Sequence, residues 1–193
     1  MKKIIPIIAA VVVLAVGLVA FLVVGKDDAK TSDTNQQKTQ ASSALTPPEA
    51  CDLFSLDDAK KVLGDTAQVP SSPAVNAEAS SDDIKVSNCT YETPAGTTIA
   101  DIKNQRMASI LSRGAKTQTG ADSNKDYFNG STKPEGVQEV TGYGDAAFWN
   151  PEFGQLNILK GNNWFILQVG NTAATTRTLD DAKKMADVVI NKL

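Results

Sequence analysis

Residues 142–170 read GYGDAAFWNPEFGQLNILKGNNWFILQVG, and the punctuation of this stretch decides the fold. Short runs rich in Val, Ile, Leu, Phe and Trp are broken by Gly, Asn and Pro every few residues, the spacing of strands joined by tight turns rather than of helices. LKGNNWF (159–165) is a hairpin signal, because Gly161 and Asn162 both tolerate the positive φ that a two-residue turn needs. Leu156, Ile158 and Lys160 alternate with Asn157 and Leu159. Ile166 and Leu167 are adjacent, which fits a central strand with both faces covered.

Upstream, GVQEV (136–140) adds a strand. SNCTYET (87–93), then PAG, then TTIADIKNQRMA (97–108) reads as a strand pair joined by a Pro/Gly turn. In its second member Ile99, Asp101 and Lys103 alternate with Ala100, Ile102 and Asn104; a helix over 100–113 is the competing reading. GADSNKDYFNGS (120–131) predicts a short helix containing Tyr127 and Phe128. Its Asp122, Asn124 and Asp126 fall at the first, third and fifth positions of a calcium loop, but Tyr127 stands where that loop needs Gly and Lys133 where it needs Glu. No metal and no cofactor is expected.

Two helices flank this region, and they begin alike. LDDAKK occurs at 56–61 and again at 179–184. Ser55 lies three residues before Asp58 and Thr178 three before Asp181, so each hydroxyl can cap a first turn whose carboxylates face the positive end of the helix dipole. Leu56, Ala59, Val62 and Leu63 share one face, with Gly64 as a stop; Leu179, Ala182, Ala186, Val189, Ile190 and Leu193 form the second stripe. The flanking residues differ, so the repeat reads as two similar helix openings, not a duplicated domain. The expected architecture is α+β: an antiparallel sheet of about 5–6 strands packed by an N-terminal and a C-terminal helix, with one disulfide.

The chain has 193 residues, a net charge of −3 and no histidine. The slight acidity gives no electrostatic basis for nucleic-acid binding. Without histidine, Ser-His-Asp and Cys-His catalysis are excluded. No S-x-x-K appears, so a histidine-free serine acylase lacks its signature.

After Lys2 and Lys3 come 22 residues without a charge, 4–25, IIPIIAAVVVLAVGLVAFLVVG. As a helix they would extend roughly 33 Å, enough for a hydrocarbon core of about 30 Å. The run is longer than the apolar part of a signal peptide and is not followed by an A-x-A-like site. Residues 1–25 are therefore expected to be an uncleaved transmembrane anchor in the cell membrane, with the N-terminus cytoplasmic and the rest extracytoplasmic. Residues 26–48, polar and small, read as a flexible linker, and 49–193 as one extracytoplasmic domain. In that compartment Cys51 and Cys89 are expected to form a disulfide.

Aromatics concentrate at Tyr143, Phe148, Trp149, Phe153, Trp164 and Phe165. Most suit a core with large side chains. The sharper expectation is a groove for a sugar, a peptide or part of a lipid, built from Tyr143, Trp149 and Phe153 with Asp145 and Glu152 as polar partners. No catalytic residue is identified.

CDLFSLDDAKKVLG, CTYET, GYGDAAFW and GQLNILKGNNWFILQVG together make residues 51–193 resemble a family of small, functionally uncharacterised exported domains of Gram-positive-type bacteria, many of them lipoproteins or single-pass proteins. The resemblance implies an extracytoplasmic α+β domain with a bridge between the first helix and a strand. This chain lacks the lipobox cysteine of the lipoprotein members, so its apolar segment is expected to anchor it.

The expected function is non-catalytic binding of an envelope polymer, a lipid or a protein. The competing expectation is a cell-envelope hydrolase using two carboxylates drawn from Asp101, Asp145 and Glu152, which would need them about 5–9.5 Å apart.

Overall fold

The computed structural model describes residues 44–70, 78–130, 133–171 and 173–193. The expected anchor and linker residues up to 43 lie outside the described residues. No described helix is long and apolar enough to cross a membrane.

The domain is α+β, built on a single antiparallel sheet with one disulfide. Helices α1 (Ala50–Leu53) and α2 (Leu56–Leu63) open it. Strands β1 (Glu78–Ser80), β2 (Ile84–Glu92) and β3 (Met107–Ala115) form one meander, with α3 (Ile99–Asn104) between the last two. Helix α4 (Gln118–Asn129) then crosses over to β4 (Gln138–Val140), β5 (Ala146–Asn150), β6 (Gln155–Lys160) and β7 (Asn163–Gly170), and α5 (Leu179–Val189) ends the chain. The sheet order is β1-β2-β3-β7-β6-β5-β4, so the second meander returns to lay β7 against β3. Both edge strands are three residues long, which limits the unpaired backbone available for edge-to-edge association.

The sheet has seven strands where the sequence suggests five or six. The extra member, β1, is Glu-Ala-Ser and has no apolar pattern; its register with Lys85–Ser87 is set by a turn in which Ser81 N–H donates to the Ile84 carbonyl at 2.8 Å. A second correction concerns 97–108. These residues are neither one strand nor the start of a helix reaching 113: α3 stops at Asn104 and β3 begins at Met107. Thr98 caps α3 by accepting from Asp101 N–H, and the Asp101 carboxylate accepts from Thr98 N–H in return. This local bonding outweighs weak strand alternation.

The two LDDAKK copies are helix openings as expected. Ser55 and Asp58 form a reciprocal capping box, and Thr178 accepts from Asp181 N–H. Gly64, at φ 97°, ends α2. Asp58 is buried, 4 % exposed, and bonds to Ser55, Lys61 and Lys192 near the C-terminus. Burial pushes its carboxyl up, but the bonds from Lys192, Ser55 and Lys61 outweigh this and hold it far below the ordinary carboxylate range.

One sheet face carries the main core. Cys89, Tyr91, Ala108, Ile110, Trp149, Leu156, Ile158, Phe165, Leu167 and Val169 pack there with Phe54, Ala59, Met185, Ala186 and Val189 from the terminal helical segments. The Cys51–Cys89 disulfide ties α1 to β2 on this face, with Cα atoms 5.0 Å apart. The opposite face meets α4 through a second cluster of Phe128, Phe148 and Leu159, with Trp164 alongside.

Candidate functional site

Helix α4 is fixed by a fully buried carboxamide. Asn124 donates through Nδ2 to the backbone carbonyls of Arg113 at 2.9 Å and Asn162 at 2.8 Å, and its Oδ1 accepts from Arg113 Nε at 2.7 Å. One side chain thus joins α4, β3 and the β6–β7 turn. The helix also approaches the sheet closely at Gly120, where a Cβ would stand 2.1 Å from the Asp83 carbonyl oxygen. Arg113 lies 5.0 Å from the centre of the Tyr127 ring. Burial pulls its guanidinium below the ordinary value, with the Tyr127 charge opposing.

Beyond the C-terminal half of α4 the same sheet face opens as a groove of about 160 Å³. Its floor is Phe148 of β5, Asn157 of β6, and Trp164 and Ile166 of β7. Asn150 and Gln155 lie at one end; Tyr127, Lys133, Pro134 and Phe153 line the sides. Phe128 supports the floor, 4.9 Å from the Phe148 ring and edge-on to Trp164 at 6.3 Å. Trp164 Nε1–H donates to Asn157 Oδ1 at 3.1 Å. Asn150 Oδ1 accepts from the N–H groups of Glu152 and Phe153 at 3.0 and 3.4 Å, shaping the β5–β6 turn and leaving Nδ2 as its donor. Lys133 pairs with Glu139 and lies 4.9 Å over the Phe148 ring.

The residues expected to form a site are not brought together. Phe153 lines the groove and is 49 % exposed. Trp149 faces the main core on the other side of the sheet and is 7 % exposed. Tyr143 packs against that core and donates to Asp187 of α5 at 2.9 Å; burial and Asp187 push its hydroxyl up to about 12. Asp145 accepts from Gly161 N–H at 2.6 Å, closing the end of the β6–β7 hairpin. Glu152 is exposed in the β5–β6 turn, and Asp101 caps α3. None of these three carboxylates lines the groove. Among the described residues no group of three or more His, Cys, Asp or Glu side chains is arranged to hold a metal ion.

Of the groove residues missed by the sequence, Asn150, Gln155, Asn157 and Ile166 meet only through strand register, and Tyr127 reaches them from α4. Phe148 opposes Asn157 and Asn157 opposes Ile166 across three strands. Alternation along each strand sends these residues to one face and Trp149, Leu156, Ile158 and Phe165 to the other.

Comparison of the chain with protein-family models, with curated proteins and with solved structures returns no match.

Proposed function

We propose that this chain is a membrane-anchored extracytoplasmic binding domain that holds a component of the cell envelope and performs no chemistry on it. The observation that carries this reading is the groove beside α4. It is concave, has four aromatic rings and a few convergent carboxamides, and lies on the sheet face beside the C-terminal half of α4. Sites for small ligands have this composition. The Asp101 and Asp145 carboxylates are committed to a helix cap and a hairpin, and with Glu152 they lie off the groove, so hydrolysis draws no support from them.

Placement outside the membrane is supported by the long uncharged segment 4–25 and by the disulfide, a bond that persists in oxidising compartments. The resemblance to exported domains points the same way.

Sedimentation of the full-length chain with washed, insoluble envelope material from the host tests the reading. The native chain should pellet with the envelope. Replacing Tyr127 and Phe153 together by alanine should release it, while replacing Ile99 and Ile102 by serine should not. Equal pelleting of all three would contradict the assignment of the groove.

A further inference from the structure

Taking the groove as the binding site, we infer that its occupant is a neutral pyranose ring, one sugar unit of an uncharged glycan. Three features of the groove select it.

The first is size. A volume of about 160 Å³ is that of a single six-membered ring; a protein cavity of about 150 Å³ accepts benzene.

The second is charge. Among the described residues Lys133 is the one ionisable cation in the lining, and its ammonium is engaged by Glu139 and by the face of Phe148. No carboxylate among the described residues lines the groove to attract a cation. An anionic or cationic ligand would surrender its hydration without a matching partner.

The third feature separates a sugar from an alkyl chain. Asn150 and Asn157 are 4 % and 3 % exposed beside the rings of Phe148, Phe153 and Trp164. The oxygen of Asn150 is held by two turn N–H groups, which leaves Nδ2 to serve the ligand. A hydrocarbon would strip water from this amide and return no hydrogen bond. A pyranose returns one through a hydroxyl or its ring oxygen, while its C–H face packs on an aromatic ring such as the half-exposed Phe153.

Isothermal titration of the full-length chain, in a detergent without a sugar head group, reads this directly. The probes are neutral trisaccharides of glucose, galactose, mannose and N-acetylglucosamine, trigalacturonate as the anionic sugar, and oleate as the alkyl chain. At least one neutral trisaccharide should bind, with trigalacturonate and oleate at least about tenfold weaker, the factor expected for one lost stacking or hydrogen-bond contact. Phe153→Ala should weaken that binding about tenfold, and Phe153→Trp should retain it. Asn150→Asp keeps the oxygen that holds the turn, removes the donor and adds a charge; it should weaken binding of the neutral sugar about tenfold while the chain keeps its native circular dichroism. Binding of oleate that Phe153→Ala abolishes, with every neutral sugar silent, would overturn the pyranose and keep the binding domain. Silence from every neutral sugar while the chain still pellets with the envelope through Tyr127 and Phe153 would do the same. Silence here together with envelope binding indifferent to those two rings would overturn both.

Discussion

Trp164 donates its indole N–H to Asn157 across the β6–β7 hairpin at 3.1 Å, a diagonal contact on the face of the sheet that carries the groove. It fixes how a half-buried ring lies in the floor, and it couples the two positions energetically. Asn157→Leu alone should cost about 1–2 kcal/mol, because the indole N–H loses its partner. In the Trp164→Phe background the same change should cost about 1 kcal/mol less. Urea unfolding of the four chains measures the coupling, and additive costs would mean the bond contributes nothing.

Asp58 ties the start of the domain to its end through Lys192. Its carboxyl is held well below the ordinary range, so the folded state binds its proton less readily than the unfolded chain does. The stabilisation is present above the unfolded value of about 4 and is lost as pH falls below it toward the depressed folded value. Asp58→Ala should cost about 2–3 kcal/mol at neutral pH, combining a lost cap with a lost ion pair whose lysines are partly solvated. The variant should also lose less further stability than the native chain between neutral pH and pH 3. Chemical denaturation at a series of pH values distinguishes this from a pH-independent loss.

The Cys51–Cys89 bond closes a sequence separation of 38 residues. On the chain-entropy model that closure stabilises by about 4 kcal/mol. The paired replacement by serine should lower the urea midpoint accordingly, and dithiothreitol should reproduce the effect in the native chain and have none in the variant.

The boundary between α3 and β3 predicts a sharp contrast between two isoleucines eight positions apart. Ile102 on α3 is 52 % exposed, whereas Ile110 on β3 is fully buried. Ile102→Ala should stay within about 0.5 kcal/mol of the native stability, while Ile110→Ala should cost about 2–5 kcal/mol. A helix through 100–113 would set both isoleucines on one broad face and would not give this pattern.

That boundary shows where the sequence speaks and where it misleads. A hydroxyl residue followed three positions later by Asp opens α2, α3 and α5 alike. At Ser55 and Thr178 an apolar stripe accompanies the signal. At Thr98 none does, because α3 buries nothing, and the weak alternation of Ile99, Asp101 and Lys103 imitates a strand. The β5–β7 meander is legible because turn residues and strand lengths are local properties. The facing of its residues is less so: AAFWN is nearly all apolar and both its faces are covered, so nothing in the run says that Phe148 looks toward α4 and Trp149 toward α5. Asn124 is hidden for a different reason. Its partners lie 11 and 38 positions away, and an asparagine anchoring a helix looks in sequence like any other polar residue of an exposed turn.

Occupancy of the groove is read most directly from the indole N–H resonances of the chain's two tryptophans. Trp164 lies in the floor beside Asn157, whereas Trp149 is packed into the main core on the far face of the sheet and serves as an internal reference. Titration of the isotope-labelled full-length chain with soluble fragments of the host envelope should shift the Trp164 signal progressively to saturation and leave that of Trp149 in place. A saturating shift at Trp149 alone, or a stationary Trp164 signal while the chain is demonstrably bound, would contradict a ligand site between α4 and β5–β7.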